Sequence, residues 1–233
     1  MSMSYYKITK LKSKTIMAVV LLTMSQLTYA NPAEQLNALL KPLNSLDGRF
    51  QQMLIDSKGE VLQESKGVFS LQRPGLFRWQ TLAPFPQLLV SNRRTIWLYD
   101  EDLEQVIIRS YTEEMDKTPA LLLSGDLDRL SSHYRITHQS EDSIAEFEEL
   151  NEKIASEQIE SDNTFILSSK SEGETFTQIA LTFKNRQLLM MKLTDTLGQV
   201  SLIQFNDLKV NPMLETKLFI FEPPPGIDVI VDD

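Results

Sequence analysis

Apolar and polar residues alternate along most of this chain with a period of two, the pattern of half-buried strands. In residues 61–72, Gly67, Phe69 and Leu71 fall on one side. In residues 76–82, Phe77, Trp79 and Thr81 share a face, and Arg73-Pro74-Gly75 between the two segments reads as a turn. The same reasoning predicts strands at 49–55, 87–90, 94–99, 103–108, 164–168, 178–183, 187–193, 199–210 and 218–221. Turns are expected at 57–59, 184–186 and 196–198. Turn signals recurring every 8–12 residues or so favour an antiparallel meander over alternating strands and helices.

Three segments break this rhythm. In residues 32–46, Leu36, Leu39, Leu40, Leu43 and Leu46 form one apolar stripe at helical spacing, and Pro42 predicts a kink or an early end. Residues 120–123 are consecutively apolar. Asp116 or Thr118 can cap them, with Pro119 in the first turn, and Leu127 and Leu130 extend a second short helix. Such helices fit against the concave face of the sheet. Residues 140–162 are acidic, with Ile144, Phe147, Leu150 and Ile154 at roughly helical spacing. Of an added surface helix and a solvated loop, the composition favours the loop. No repeat or linker divides the rest. The fold expected is mainly β, a curved antiparallel sheet of about ten or eleven strands. It forms an incomplete barrel closed by short α-helices, a lid over an apolar cavity.

The N-terminus has a different character. Lys7, Lys10, Lys12 and Lys14 precede an apolar run that ends at Thr28-Tyr29-Ala30. A positive flank, an apolar stretch and a small-residue end match a secretory signal peptide, cleaved after residue 30. The run is too short and interrupted for a good membrane span. Residues 31–233 then form one domain in an exported protein. Without those four lysines it carries 19 basic and 32 acidic side chains, a formal net charge of −13. That surface repels polyanions, which excludes nucleic acid as a natural partner and disfavours adhesion to anionic lipid. There is no cysteine, so the core must stabilise an exported chain without disulfides.

The block from 67 to 126, with Gly67 and Phe69, Arg73-Pro74, Leu76, Phe77 and Trp79, Leu89-Val90-Ser91, Trp97 and Tyr99, Glu104-Gln105 and Thr118-Pro119, closely resembles the LolA family of periplasmic lipoprotein carriers. The tail from Phe219 to Ile230 fits the family's closing strand and Pro-Gly turn. With the Phe50 region, the resemblance covers most of the chain after residue 31. It does not extend to the acidic insertion 140–162. The resemblance implies a monomeric chaperone in the periplasm of a Gram-negative bacterium. Such a protein takes triacylated lipoproteins from an inner-membrane ATP-binding-cassette (ABC) release complex and delivers them to an outer-membrane receptor of the LolB type. That receptor is itself lipidated on a cysteine, so the absence of cysteine favours carrier over receptor.

An acyl chain suits an apolar hollow, each buried methylene contributing about 0.8 kcal/mol. The candidate lining is Phe50, Phe69, Phe77, Trp79, Leu89, Trp97, Leu121 and Leu122. The resemblance further implies that Arg73 bonds backbone groups of the lid helices and latches the cavity shut. Five permanently charged donors suit an arginine to that task. Signals for catalysis are absent: there is no cysteine nucleophile, Gly-x-Ser-x-Gly elbow or phosphate loop. The only histidines, His133 and His138, would face opposite sides of a strand, so no metal site and no cofactor are expected. The alternatives are a general lipid or glycolipid carrier on the same fold, a sensor module and a lipid-processing enzyme. The last lacks its catalytic residues here.

Overall fold

In the computed structural model, residues 31–111, 123, 130–139, 163–171 and 175–232 are described. The signal segment 1–30, the acidic stretch 140–162, and Leu121 and Leu122 lie outside them. Among the described residues, twelve strands make a single sheet. The first half comprises β1 (Ser45–Ile55), β2 (Val61–Gln72), β3 (Leu76–Ala83), β4 (Gln87–Asn92), β5 (Thr95–Asp100) and β6 (Gln105–Ser110). The second comprises β7 (Tyr134–Gln139), β8 (Asn163–Ser169), β9 (Phe176–Lys184), β10 (Gln187–Asp195), β11 (Val200–Val210) and β12 (Asp228–Asp232).

The strand order is β12-β6-β5-β4-β3-β2-β1-β11-β10-β9-β8-β7. Two meanders therefore meet at the β1–β11 pair, and the sheet stays open at β12 and β7. This bears out a mainly β, incomplete barrel and corrects two details. First, residues 218–221 do not form a strand. A short 3-10 helix (Thr216–Phe219) takes their place and buries Phe219 completely, packing outside β3 and β4. After Pro223–Pro225 and Gly226 (φ +91°), β12 joins the edge parallel to β6, so the sheet is mixed. Second, β7 was not expected. Its alternation of Tyr134, Ile136 and His138 is short and adjoins the acidic stretch.

Helix α1 (Pro32–Leu40) stops two residues before Pro42, whose ring cannot continue a helix. Its Leu36, Leu39 and Leu40 are buried, and Leu43 follows in the connection. Leu46, expected on the helix, belongs instead to β1 and joins the same core. Asn211, at the end of β11 with φ +55°, ties this connection down. Its Oδ1 accepts the amides of Asn44 (2.8 Å) and Ser45 (3.3 Å), and its Nδ2 donates to the Pro42 carbonyl (2.9 Å). Helix α2 (Leu130–His133) leads directly into β7. The concave faces supply one continuous core, including Phe50, Phe69, Phe77, Phe165, Phe183 and Phe205 under the leucines of α1.

Candidate ligand cavity

Alternation along each strand decides which side chains reach the hollow. On β2 the inward set is Gly67, Phe69 and Leu71; on β3 it is Phe77 and Trp79; on β4 it is Leu89. Phe69 is paired with Trp79, Trp79 with Leu89, Leu89 with Leu98, and Leu98 with Ile107. One apolar row thus crosses five strands. A parallel row runs from Leu71 and Phe77 through Ser91 and Ile96 to Arg109. Across the hollow, β10 and β11 contribute Met191, Leu193 and Ile203. Together with Leu123 and Phe176 these residues bound a cavity of about 400 Å³, open to solvent and apolar over most of its wall.

Trp79 is the hub of the wall. Phe50 stacks on it with centroids 3.9 Å apart and planes 26° apart, and Phe69 and Phe77 lie 5.5 and 6.0 Å away. Of the candidates read from the sequence, Phe69, Phe77, Trp79 and Leu89 line the cavity. Phe50 is not among the lining residues: its ring packs behind Trp79, over Gly67. Trp97 is on the opposite side of the sheet, because Ile96 and Leu98, its neighbours on β5, are the inward residues. The aromatic spacing in residues 97–99 instead serves the outer layer, where Tyr99 meets Phe221 at 5.2 Å. Leu121 and Leu122 are outside the described residues, whereas the adjacent Leu123 lines the cavity and is 2% exposed. Met191, Leu193 and Ile203 were not among the candidates, because the consecutive apolar residues 188–191 and 202–203 bury both faces of their strands and do not mark one as inward.

Arg73 stands at the end of β2, at a cis Arg73–Pro74 bond. Its main-chain N–H donates to the Asn44 carbonyl at 2.8 Å. Its Nε donates to the Leu123 carbonyl at 2.9 Å and its Nη1 to the Leu40 carbonyl at 2.6 Å. Leu40 is the last residue of α1, which has no basic residue in its last turn. The guanidinium thus supplies the positive charge that a helix C-terminus favours. Burial pulls the arginine's pKa down from its ordinary value to about 10, which leaves it charged at neutral pH. Its Nη2 is buried without a hydrogen-bond partner among the described residues. Arg109, at the cavity edge, is half-exposed and paired with Asp232 at 2.9 Å, a surface ion pair worth at most about 1 kcal/mol. The two histidines share no strand: His133 ends α2, and His138 on β7 contacts Asn163. Among the described residues no cluster of metal-ligating side chains is present.

An open half-barrel with an apolar hollow, and a cation beside it holding the carbonyls of Leu40 and Leu123, is the build of a binding protein for hydrophobic ligands. Comparison with known proteins narrows the class. The family model described as outer membrane lipoprotein carrier protein LolA matches residues 41–162 and 148–222. The outer-membrane lipoprotein carrier protein of Pseudomonas paraeruginosa is 37% identical over 220 residues, covering 93% of this chain and 97% of that one. That of Azotobacter vinelandii is 41% identical over 197 residues, covering 84% and 86%. The chain belongs to the LolA family. A conserved uncharacterized protein of Thermus thermophilus shares the fold, with a TM-score of 0.51 at 15% identity over 85% of this chain and 98% of that one.

Proposed function

We propose that this protein is a periplasmic chaperone that shields the acyl chains of outer-membrane lipoproteins and carries them between the two membranes. The observation that carries this reading is the apolar cavity, walled in part by Leu123 whose carbonyl Arg73 holds, in a chain that belongs to a carrier family. The family consists of binding proteins and not enzymes. Its carriers work in the periplasm of Gram-negative bacteria, which agrees with residues 1–30 acting as a cleaved export signal. The cargo is supplied by an ATP-driven release complex in the inner membrane and accepted by a lipoprotein receptor of the outer membrane. The carrier works as a monomer and transfers its load down an affinity gradient, since its sequence has no nucleotide-binding motif.

The hollow of about 400 Å³ has the size of a pocket for one drug-sized ligand, within the range of roughly 300–1,000 Å³. Three acyl chains need more room, so loading must displace the helical elements that Arg73 holds. Phe69, Phe77, Trp79 and Leu89 form the surface against which the chains lie. Phe50 backs that surface, and Arg73 is the latch. The test is to incubate residues 31–233 with spheroplasts carrying a labelled lipoprotein and to analyse the released material by native mass spectrometry. A soluble one-to-one complex with the triacylated form, and none with the unacylated form, is expected. Copurified free lipid without lipoprotein would replace this reading with that of a general lipid carrier.

A further inference from the structure

Besides Arg109 at its edge, the apolar wall is interrupted on the seam between the two meanders. Gln52 on β1 and Ser201 on β11 both line the cavity, and Gln52 Nε2 donates to Ser201 Oγ at 2.7 Å. A polar pair in a hydrocarbon-lined hollow costs desolvation. Here the pair satisfies only part of its capacity: the second amide N–H of Gln52 and the hydroxyl hydrogen of Ser201 are left to donate. Gln52 also lines a second cleft of about 390 Å³, whose wall is more polar than the first and mixes Glu64, Ser65 and Lys66 with Met53, Ala83 and Pro84. Gln52 therefore borders both the apolar hollow and this more polar cleft.

Hydrocarbon has no use for a donor. A diacylglyceryl group does, because each chain ends in an ester carbonyl that only accepts hydrogen bonds. We propose that Gln52 and Ser201 form an ester-anchoring site that donates to the carbonyls of acyl-ester ligands and so sets how deep the chains enter. Their polar continuation then leaves along the second cleft. This rests on the carrier reading above and adds to it a chemical criterion for the ligand. The chains themselves are held by unspecific apolar contact, whereas the carbonyls are read by hydrogen bonds.

The test compares two synthetic lipopeptides, identical except that the S-glyceryl group carries two palmitoyl esters in one and two hexadecyl ethers in the other. Both are titrated against the intact mature protein by displacement of an environment-sensitive fluorophore. The ester form should bind about five- to tenfold more tightly, the equivalent of one or two hydrogen bonds. In the double variant Gln52→Leu, Ser201→Ala the preference should vanish while the ether form binds at least as well as before. Replacing both polar partners by apolar groups is close to neutral for folding, and the wild-type preference is informative even if the variant fails to fold. Equal binding of the two lipopeptides to the wild type, or a preference that survives in a folded variant, would overturn the anchor alone. Failure of both to bind would overturn the carrier reading as well. A dipalmitoyl phospholipid that competes with the same ester preference would uphold the anchor and assign its source as free lipid.

Discussion

The ring of Phe50 lies stacked on that of Trp79, 3.9 Å between centroids, although the two residues belong to strands that are not neighbours. Strand β2 separates them, and at the crossing point it carries Gly67, paired with Phe50 on one side and Thr81 on the other. The missing side chain is what lets the two rings meet. A Cβ at Gly67 would stand 2.0 Å from the Gln80 carbonyl oxygen and 2.6 Å from the Phe50 ring. Gly67→Ala should therefore destabilise the protein by about 3 kcal/mol or more, or prevent folding, since neither obstacle yields without moving a strand. A thermal melt within a few degrees of the wild type would show that the aromatic wall does not depend on this contact.

The Arg73 contacts make a second prediction. The guanidinium joins the carbonyl at the end of α1 to that of Leu123, two charge-assisted bonds of about 1.5–3 kcal/mol each at most. Arg73→Leu frees both partners and leaves the β-ladder intact. Hydrogen exchange should accelerate at the amides following α1 while those of β1 and β11 keep their protection. The variant should take up acylated cargo yet deliver it poorly, because reclosure no longer competes with the bound chains. Normal delivery would remove the latch from the mechanism.

Arg73 also has a definite pH signature. Its folded-state pKa of about 10 lies below the ordinary arginine value, so the unfolded chain would hold the proton more tightly between the two. Stability from this group would rise with pH only across that alkaline window. Below it both states are charged, and delivery measured between pH 6 and 8 should show no step attributable to the latch. A step there that disappears in Arg73→Lys would contradict this assignment.

At the acid end, two turns carry the titration. Asp56 Oδ1 accepts the amides of Glu60 (2.8 Å) and Lys58 (2.9 Å), and Asp100 accepts from the Gln87 amide group (2.8 Å) and the Leu103 N–H (3.0 Å). These bonds favour the carboxylates and hold both pKa values below 3.8, with the Glu60 amide the largest cause for Asp56 and the Gln87 side chain for Asp100. The stabilisation is complete above the unfolded value and is lost as pH falls through the lower folded ones. Amide NMR shifts of Glu60 and Leu103 should titrate with acid midpoints below the ordinary aspartate value. Asp56→Asn should remove the movement at Glu60 alone.

Much of this architecture is legible in the alternation of residues 61–108, because strands that bury one face must repeat every two residues. The place of Trp97 was not, for the same reason. Alternation assigns residues to two faces without saying which is concave, and the C-terminal segment that covers the outer face of β3 and β4 lies over a hundred residues away in sequence. Phe50 was read as cavity lining, but its position behind Trp79 follows from Gly67 and from cross-strand register. Tail residues 218–221 are apolar enough for a strand, yet three successive prolines end any ladder there and postpone pairing until β12. Arg73 was legible through the resemblance. Its two carbonyl partners, separated from it by 33 and 50 residues, emerge only from the folded chain.

The two tryptophans, Trp79 and Trp97, are the only ones in the chain, and they occupy opposite faces of the sheet. This makes them internal reporters of where acyl chains enter. A lipopeptide with bromine atoms along its palmitoyl chains quenches indole fluorescence only at close contact. In Trp97→Phe, where Trp79 alone emits, saturating ligand should quench most of the signal. In Trp79→Phe, where Trp97 remains, the signal should persist, since the chains and the indole are separated by the sheet itself. Each substitution keeps an aromatic ring in place, so both variants are expected to fold. Quenching confined to Trp97 would mean that the acyl chains bind to the outer face, beneath the C-terminal segment, and that the apolar hollow is core packing without a ligand.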